Sequence, residues 1–166
     1  ANALHEKWKK RVIDFVGNTK ILSHRKYRKM CRQIIRDFDN LPMTDEKKPR
    51  VGVVGEILVK FLPAANNYIV DLLESEGAEA VVPDLTDFLL YCCYNQTQKE
   101  KYLGGSRKAR IMGNLITKVI EYYQKPMMDA LEASKRFDRP EDIRSLGEHA
   151  RKIVSLCNQT GEGWFL

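Results

Sequence analysis

Residues 50–84 read RVGVVGEILVKFLPAANNYIVDLLESEGAEAVVPD, a sequence in which strand and helix patterns alternate. The run from Arg50 to Glu56 is short and apolar and ends in glycine, which predicts a buried strand. Residues 65–76 predict a helix that Gly77 stops, and residues 78–82 predict a second strand. A strand, a helix and a strand of these lengths predict a βαβ unit with two parallel strands and a right-handed crossover.

On the N-terminal side of this unit, residues 1–47 predict a basic helical arm. Apolar residues from Leu4 to Phe15 recur at three- and four-residue spacing, and a second helix is predicted from about Ser23. One face of this second helix is rich in basic side chains. The basic face is either a solvated helix surface or a surface that binds a polyanion, and the pattern favours the solvated surface. The basic side chains on one face of the second helix are Arg25, Lys26, Arg28, Lys29, Arg32 and Arg36.

On the C-terminal side, the chain is predicted to be helical. Residues 85–94 are almost wholly apolar and predict a buried helix, and residues 95–107 are polar, with Gly104-Gly105 as the predicted break. A longer helix is predicted over residues 111–122, with a kink or a stop near Pro126. Pro140 predicts the first turn of a final helix.

These patterns predict an α/β fold class. The expected architecture is a truncated Rossmann-like three-layer unit with a short parallel sheet, a helical N-terminal arm and a helical C-terminal half. The predicted domains are 1–47 for the arm and 48–166 for a partial Rossmann-like domain, with a helical insertion at about 95–157. Two parallel strands leave both sheet edges unpaired, so we expect further strands from sequence absent here or from a partner chain. The chain is therefore expected to be a fragment without a complete active site.

Charge and cysteine content narrow the class of protein. The formal net charge is +6, with the basic excess in residues 1–50 and 101–166 and an acidic middle. The cysteines Cys31, Cys92, Cys93 and Cys157 have no metal-binding spacing, which predicts reduced thiols and no metal site. Neither a signal peptide nor an apolar run long enough to span a membrane is visible. We expect a cytoplasmic protein that has no membrane contact.

Two loops carry the candidate ligand-binding residues. In open α/β sheets, ligands bind beyond the carboxyl ends of the strands, here Gly55-Glu56 and Pro83-Asp84. Asn66 and Asn67 precede the following helix, where they would bind a phosphate or a carboxylate or simply cap the helix. The glycines do not form a dinucleotide-binding fingerprint.

The second candidate loop is Gly161-Glu162-Gly163, where paired glycines permit close backbone approach and Glu162 offers a carboxylate. A plain connecting loop explains this sequence equally well. The histidines are predicted to lie on the surface, and no set of residues typical of a catalytic site is visible. The histidines of the chain are His5, His24 and His149.

A family resemblance rests on residues 48–95, KPRVGVVGEILVKFLPAANNYIVDLLESEGAEAVVPDLTDFLLYCCYN, and on residues 158–166, NQTGEGWFL. These segments resemble the dehydratase-like region of large proteins related to the activators of 2-hydroxyacyl-CoA dehydratases, the CoA-substrate-specific enzyme activases. The remaining helical segments are similar to that region more weakly.

The resemblance implies a Rossmann-like fold and a parent protein that uses ATP and a [4Fe–4S] cluster. No cofactor is expected in this fragment, because the phosphate loops are missing and the cluster ligands are expected beyond Leu166. The motif positions that the resemblance marks as cofactor-binding, with no catalytic or metal residue among them, are Gly55, Glu56, Asn66, Asn67, Gly161, Glu162, Gly163 and Trp164.

The leading functional hypothesis is a fragment that is non-catalytic alone and frames a site for an acyl-CoA or a redox partner. Its expected partners are the rest of the parent chain, an acyl-CoA or a dehydratase, and a second copy in a homodimer. One alternative is a small nucleotide- or flavin-type module whose basic arm contacts nucleic acid, a partner that the sequence disfavours. Another is a scaffold domain that dimerises.

Overall fold

The structure, a computed structural model, describes residues 1–18, 23–43 and 47–156. These residues are mostly helical and contain one small sheet, which confirms an α/β layout in its coarse form. Among the described residues, no helix is both long and apolar enough to cross a membrane. The elements are α1 (Asn2–Gly17), α2 (His24–Asp39), β1 (Arg50–Gly52), α3 (Ile57–Phe61), α4 (Ile69–Ser75), β2 (Glu79–Val81), α5 (Leu85–Leu103), α6 (Arg107–Glu132) and α7 (Ile143–Arg151).

The predicted pair of parallel strands is confirmed, although both strands are shorter than predicted. The prediction that the first strand is buried is wrong, because all of β1 is exposed. β1 pairs with β2 in parallel, with Arg50 opposite Glu79 and Gly52 opposite Val81. The connection between them holds two helices, because α3 forms within the segment that was predicted to be a loop. The second helix, α4, begins later than predicted. Asn67 and Tyr68 have positive φ angles of 56° and 53°, which a right-handed helix cannot include.

The helix α5 is less buried than the sequence predicted. It continues through the polar residues to Leu103 and ends at the predicted break, where Gly104, with a φ angle of 66°, closes the helix with a left-handed residue. The prediction of a wholly buried apolar helix is wrong for Leu85 and Leu89, which are 52% and 47% exposed. The polar residues 95–100 are half-buried or buried within this helix, and Gln98 is 4% exposed, so tertiary packing and not local polarity decides that the helix continues through them.

The helix α6 runs through Pro126, where a kink or a stop was predicted. The Pro126 ring is fully buried, so packing offsets the loss of one backbone hydrogen bond. The helix α7 begins at Ile143 and not near Pro140, since Asp142 supplies the N-terminal cap. The Asp142 carboxylate accepts a hydrogen bond of 2.7 Å from the Arg144 N–H.

Backbone contacts divide the described residues into two units. Unit 1 contains α1, α2 and the part of the chain from Glu121 to Pro140. Unit 2 contains the sheet with α3, α4 and α5, the part of α6 up to Ile120, and α7. The domain boundaries predicted from the sequence stay a prediction, and each unit is described by itself.

In unit 1, α1 packs on α2 through Trp8, which is 3% exposed. The indole N–H of Trp8 donates to the Asp37 carboxylate at 3.1 Å, and the Arg11 guanidinium lies 4.5 Å from the centre of the Trp8 ring. His24 was predicted to lie on the surface, but its ring stacks on Tyr122 with centroids 4.9 Å apart. Its Nε2 atom is buried, so the surface prediction is wrong for this histidine.

In unit 2, α5 packs closely on α6. A Cβ atom placed on Gly113 would lie 2.9 Å from the backbone oxygen of Cys93, so this contact requires glycine. An ion pair between Glu100 and Arg110 joins the same two helices. Among the described residues, Cys31, Cys92 and Cys93 form no disulfide, and Cys157 lies outside the described residues.

Candidate functional site

Unit 2 contains a cavity of about 260 Å³ beyond the carboxyl end of β2. Its walls come from the β2–α5 connection, α3, α5 and α7. The lining is mostly apolar and aromatic, with three ionisable side chains. The side chains that matter for its chemistry are Lys60, Asp84, Asp87, Phe88, Tyr91 and Tyr94.

The first turn of α5 forms the polar edge of the cavity. Asp84 caps this helix, and its carboxylate accepts a hydrogen bond of 2.7 Å from the backbone N–H of Asp87. Asp87, Tyr91 and Tyr94 follow one another at spacings of four and three residues. A helix places such residues on one face, so α5 presents a carboxylate and two phenol rings to the cavity.

The opposite wall comes from α7, which approaches α5 at a glycine. A Cβ atom on Gly147 would lie 2.8 Å from the Tyr94 hydroxyl oxygen, closer than real Cβ atoms come to other atoms. Ile143, Leu146 and Ala150 of α7 add aliphatic surface to the lining. The Tyr94 ring can occupy this position because Gly147 has no side chain.

Lys60 is the buried basic residue of the cavity. It is 5% exposed, although it lies on the short helix α3, and its ammonium nitrogen is 4.8 Å from the centre of the Phe61 ring. Two neighbours hold its peptide groups. The Lys60 N–H donates to the backbone oxygen of Glu56 at 2.8 Å, and the Asn66 side-chain amide donates to the Lys60 oxygen at 3.1 Å.

The pKa of Asp87 is raised above the ordinary aspartate value. Burial is the larger cause, because it disfavours the charged carboxylate, and the nearby Asp84 carboxylate adds to the effect. A carboxyl group with a raised pKa keeps its proton to higher pH than an ordinary aspartate does.

The structure brings the candidates of the first loop close to Lys60 but does not place them in the cavity lining. Gly55 has a positive φ angle of 147°, and the Glu56 carboxylate caps α3 by accepting from the Val59 N–H at 3.0 Å. Asn66 donates to the backbone, and Asn67 has a left-handed conformation. A cofactor-binding role for these residues stays a prediction. Gly161, Glu162, Gly163 and Trp164 lie outside the described residues.

The sequence interpretation missed most of the cavity lining. The rule that ligands bind beyond the strand ends led to Pro83-Asp84, which do line the cavity. The spacing of Asp87, Tyr91 and Tyr94 was a visible signal, since it places three polar side chains on one face of an apolar helix. No local signal marked Lys60, whose burial depends on tertiary packing.

The described residues contain no group of three or more His, Cys, Asp or Glu side chains that could hold a metal ion. A [4Fe–4S] cluster is usually held by four cysteine thiolates. Cys31 lies in unit 1, while Cys92 and Cys93 lie together on α5 in unit 2. The described part of the chain therefore does not fit such a cluster.

Comparison with known proteins leaves the family open. No protein-family model matches the chain, and no curated protein or solved structure matches it. The resemblance of residues 48–95 and 158–166 to the dehydratase-activator family remains a hypothesis.

Proposed function

We propose that unit 2 is a binding module for the acyl group of an acyl-CoA thioester. It would be a non-catalytic part of a larger cytoplasmic protein related to the 2-hydroxyacyl-CoA dehydratase activators. The observation that carries the proposal is the apolar, aromatic cavity at the carboxyl end of β2, with Lys60 and Asp87 as its polar groups. Ligand sites in open α/β folds lie at this end of the strands.

The size of the cavity favours a small acyl group. At about 260 Å³ the cavity lies just below the range of about 300–1,000 Å³ that is typical of small-ligand sites. That space suits a short acyl chain with its thioester carbonyl, whereas the nucleotide part of CoA would remain outside. The Phe88, Tyr91 and Tyr94 rings supply apolar contact area for such a chain.

The polar groups suit a carbonyl oxygen. The Lys60 side chain donates hydrogen bonds, and a thioester carbonyl accepts them. The described lining contains no Ser, Cys or His side chain that would act as a nucleophile or as its base. The arrangement therefore supports binding and orientation more than covalent chemistry.

The proposal also gives the small sheet a place in a larger Rossmann-like fold. Within the described residues, β1 and β2 pair only with each other, and all of β1 is exposed. Unpaired strand edges favour added strands, which the rest of a parent chain or a second copy would supply. A structure of a longer chain tests this, and a sheet that still has two strands would contradict it.

Isothermal titration with butyryl-CoA, free CoA and butyryl-N-acetylcysteamine tests acyl binding. We expect both butyryl thioesters to bind and free CoA to bind more weakly. Ala150→Phe fills the cavity and should abolish acyl binding, whereas Leu115→Phe, which introduces the same side chain at an exposed residue of α6, should leave it intact. Equal binding of free CoA and butyryl-CoA, or the same loss in both variants, would exclude the cavity as the acyl site.

A further inference from the structure

Unit 1 contains a second concave site, a cleft of about 550 Å³ between α1 and α2. Its volume lies in the range of small-ligand sites, about 300–1,000 Å³. It shares no residue with the cavity of unit 2 and is independent of the function proposed above. Its lining residues are Arg11, Asp14, Phe15, Lys26, Lys29, Met30 and Gln33.

The charge of this cleft is unbalanced. Arg11, Lys26 and Lys29 face a single carboxylate, that of Asp14, and none of the four forms an ion pair with another described residue. The Arg11 guanidinium is held 4.5 Å from the centre of the Trp8 ring, so it is oriented without being neutralised. Three converging cations with one opposing acid favour an anionic ligand.

The remaining lining narrows the class of anion. Phe15 is half-buried and Met30 is adjacent, so the cleft has an apolar surface beside its cations. A guanidinium fork and two ammonium groups match phosphate oxygens, and an aromatic side chain provides a face on which a base stacks. A simple carboxylate would leave the apolar surface unused.

We propose that the α1–α2 cleft binds the phosphate and base of a nucleotide. The nucleotide is either free or one unit of a single-stranded nucleic acid, and the two sources share this chemistry. Further basic side chains of α2 lie outside the cleft lining and are exposed, so a strand with several phosphates would gain contacts that a free nucleotide lacks. They are Arg25, Arg28, Arg32 and Arg36.

Fluorescence anisotropy with a labelled oligothymidylate of about twelve nucleotides tests the proposal, with ATP, inorganic phosphate and polyglutamate as competitors. Log affinity should fall linearly with log salt, with a slope of about −2 if only the three cleft cations contact phosphates and a steeper slope if the arginines outside the cleft also do. Competition by ATP at concentrations comparable to the strand indicates a free nucleotide as the ligand, and weak competition by ATP indicates a strand. Competition by polyglutamate as strong as that by the strand would overturn the proposal.

Two double variants with the same charge change separate the cleft from general electrostatics. Lys26→Gln with Lys29→Gln should weaken strand binding by about tenfold or more and reduce the magnitude of the salt slope by about 1.4. Arg28→Gln with Arg32→Gln, outside the cleft, should weaken binding by less than about threefold. Equal losses would show that net charge and not the cleft binds the strand, which overturns the proposal.

Phe15→Leu provides a further check, because it keeps an apolar side chain but removes the stacking face. It should lower the affinity for the strand and for ATP while leaving competition by inorganic phosphate unchanged. An unchanged affinity for ATP would contradict a base-binding role. Circular dichroism of each variant confirms that α1 and α2 remain folded.

Discussion

Asn66 shows how a residue that resembles a ligand group can be committed to the backbone. Its amide nitrogen donates to the Val59 and Lys60 oxygens at 3.0 and 3.1 Å, and its amide oxygen accepts from the Ile69 N–H at 3.3 Å. Asn66→Ala leaves these backbone groups unpaired and should lower the free energy of unfolding by about 1–2 kcal/mol. It should also weaken acyl-thioester binding, because the peptide of Lys60 loses a support. Urea denaturation and titration calorimetry measure both effects.

The neighbouring residue supplies the matched control. Asn67 has a φ angle of 56°, a conformation that glycine adopts without steric cost. Asn67→Gly should therefore change the free energy of unfolding by less than about 0.5 kcal/mol and leave ligand binding unchanged. A loss equal to that of Asn66→Ala would mean that general loosening of the loop, and not the Asn66 amide, supports Lys60.

Because of Tyr27, the stability of unit 1 is expected to depend on pH in the alkaline range. Burial, with a smaller contribution from the adjacent Cys31, raises the pKa of Tyr27 from 10.0 to about 12. A phenol whose folded pKa exceeds its unfolded value stabilises the fold fully below about pH 10 and loses that contribution as the pH rises towards 12. Burial also raises the pKa of Cys31, which adds a loss in the same direction.

Tyr27→Phe tests this coupling, because it keeps the ring and removes the ionising hydroxyl. Urea midpoints at about pH 9 and about pH 11 should differ less in this variant than in the wild type. Tyr102→Phe, at a residue that is 43% exposed in unit 2, should leave the pH dependence unchanged. The idea fails if Tyr27→Phe and Tyr102→Phe give the same pH dependence as the wild type.

Among the helices, the pairing of α5 with α6 depends on one glycine. Gly113→Ala would gain helix propensity of about 1 kcal/mol, but its Cβ would meet the Cys93 backbone oxygen at 2.9 Å. A backbone atom cannot move aside like a flexible side chain, so we expect a net loss of about 1–3 kcal/mol. Gly17→Ala, at the end of α1 with no atom near the added Cβ, should be neutral or slightly stabilising. A stabilising Gly113→Ala would mean that the two helices are farther apart in solution.

Local sequence signals predicted those elements whose boundaries are set by local chemistry. The apolar runs gave β1 and β2, and Gly77, with a φ angle of 85°, ends the region of α4 as predicted. The sequence leaves alternatives open where tertiary packing decides. For Pro126 it predicted either a kink or a stop, and the stop is wrong, because α6 continues through Pro126, whose ring is buried.

The residues of the candidate site also divide into those that local sequence predicts and those that only tertiary packing brings together. The strand-end rule led to Asp84, because that residue is fixed by a local turn and a helix cap. The wall formed by α7 lies more than 50 positions later in the chain, and only folding brings Gly147 to Tyr94. Sequence patterns predict one edge of such a pocket and leave the opposite wall undetermined.

Taken over its whole length, the described chain buries few large apolar side chains and exposes many. The buried hydrophobic residues are Trp8, Cys31, Leu90, Ala130 and Leu156. One face of α6 exposes five aliphatic side chains in succession, each between 42% and 56% exposed, namely Ile111, Met112, Leu115, Ile116 and Val119. Contiguous exposed apolar surface of this kind marks either an interaction surface or an aggregation liability.

Two leucines of unit 2 distinguish a bare surface from a covered one in solution. Leu90 is 6% exposed and Leu115 is 56% exposed. Leu90→Ala should lower the free energy of unfolding by about 2–5 kcal/mol, because it removes buried methyl groups and leaves a cavity. Leu115→Ala should change it by less than about 0.5 kcal/mol if solvent covers that face. Urea denaturation at several protein concentrations measures both losses. If the loss for Leu115→Ala is as large as that for Leu90→Ala and increases with protein concentration, a second copy covers α6. Mass action makes the stability of an associated state depend on concentration.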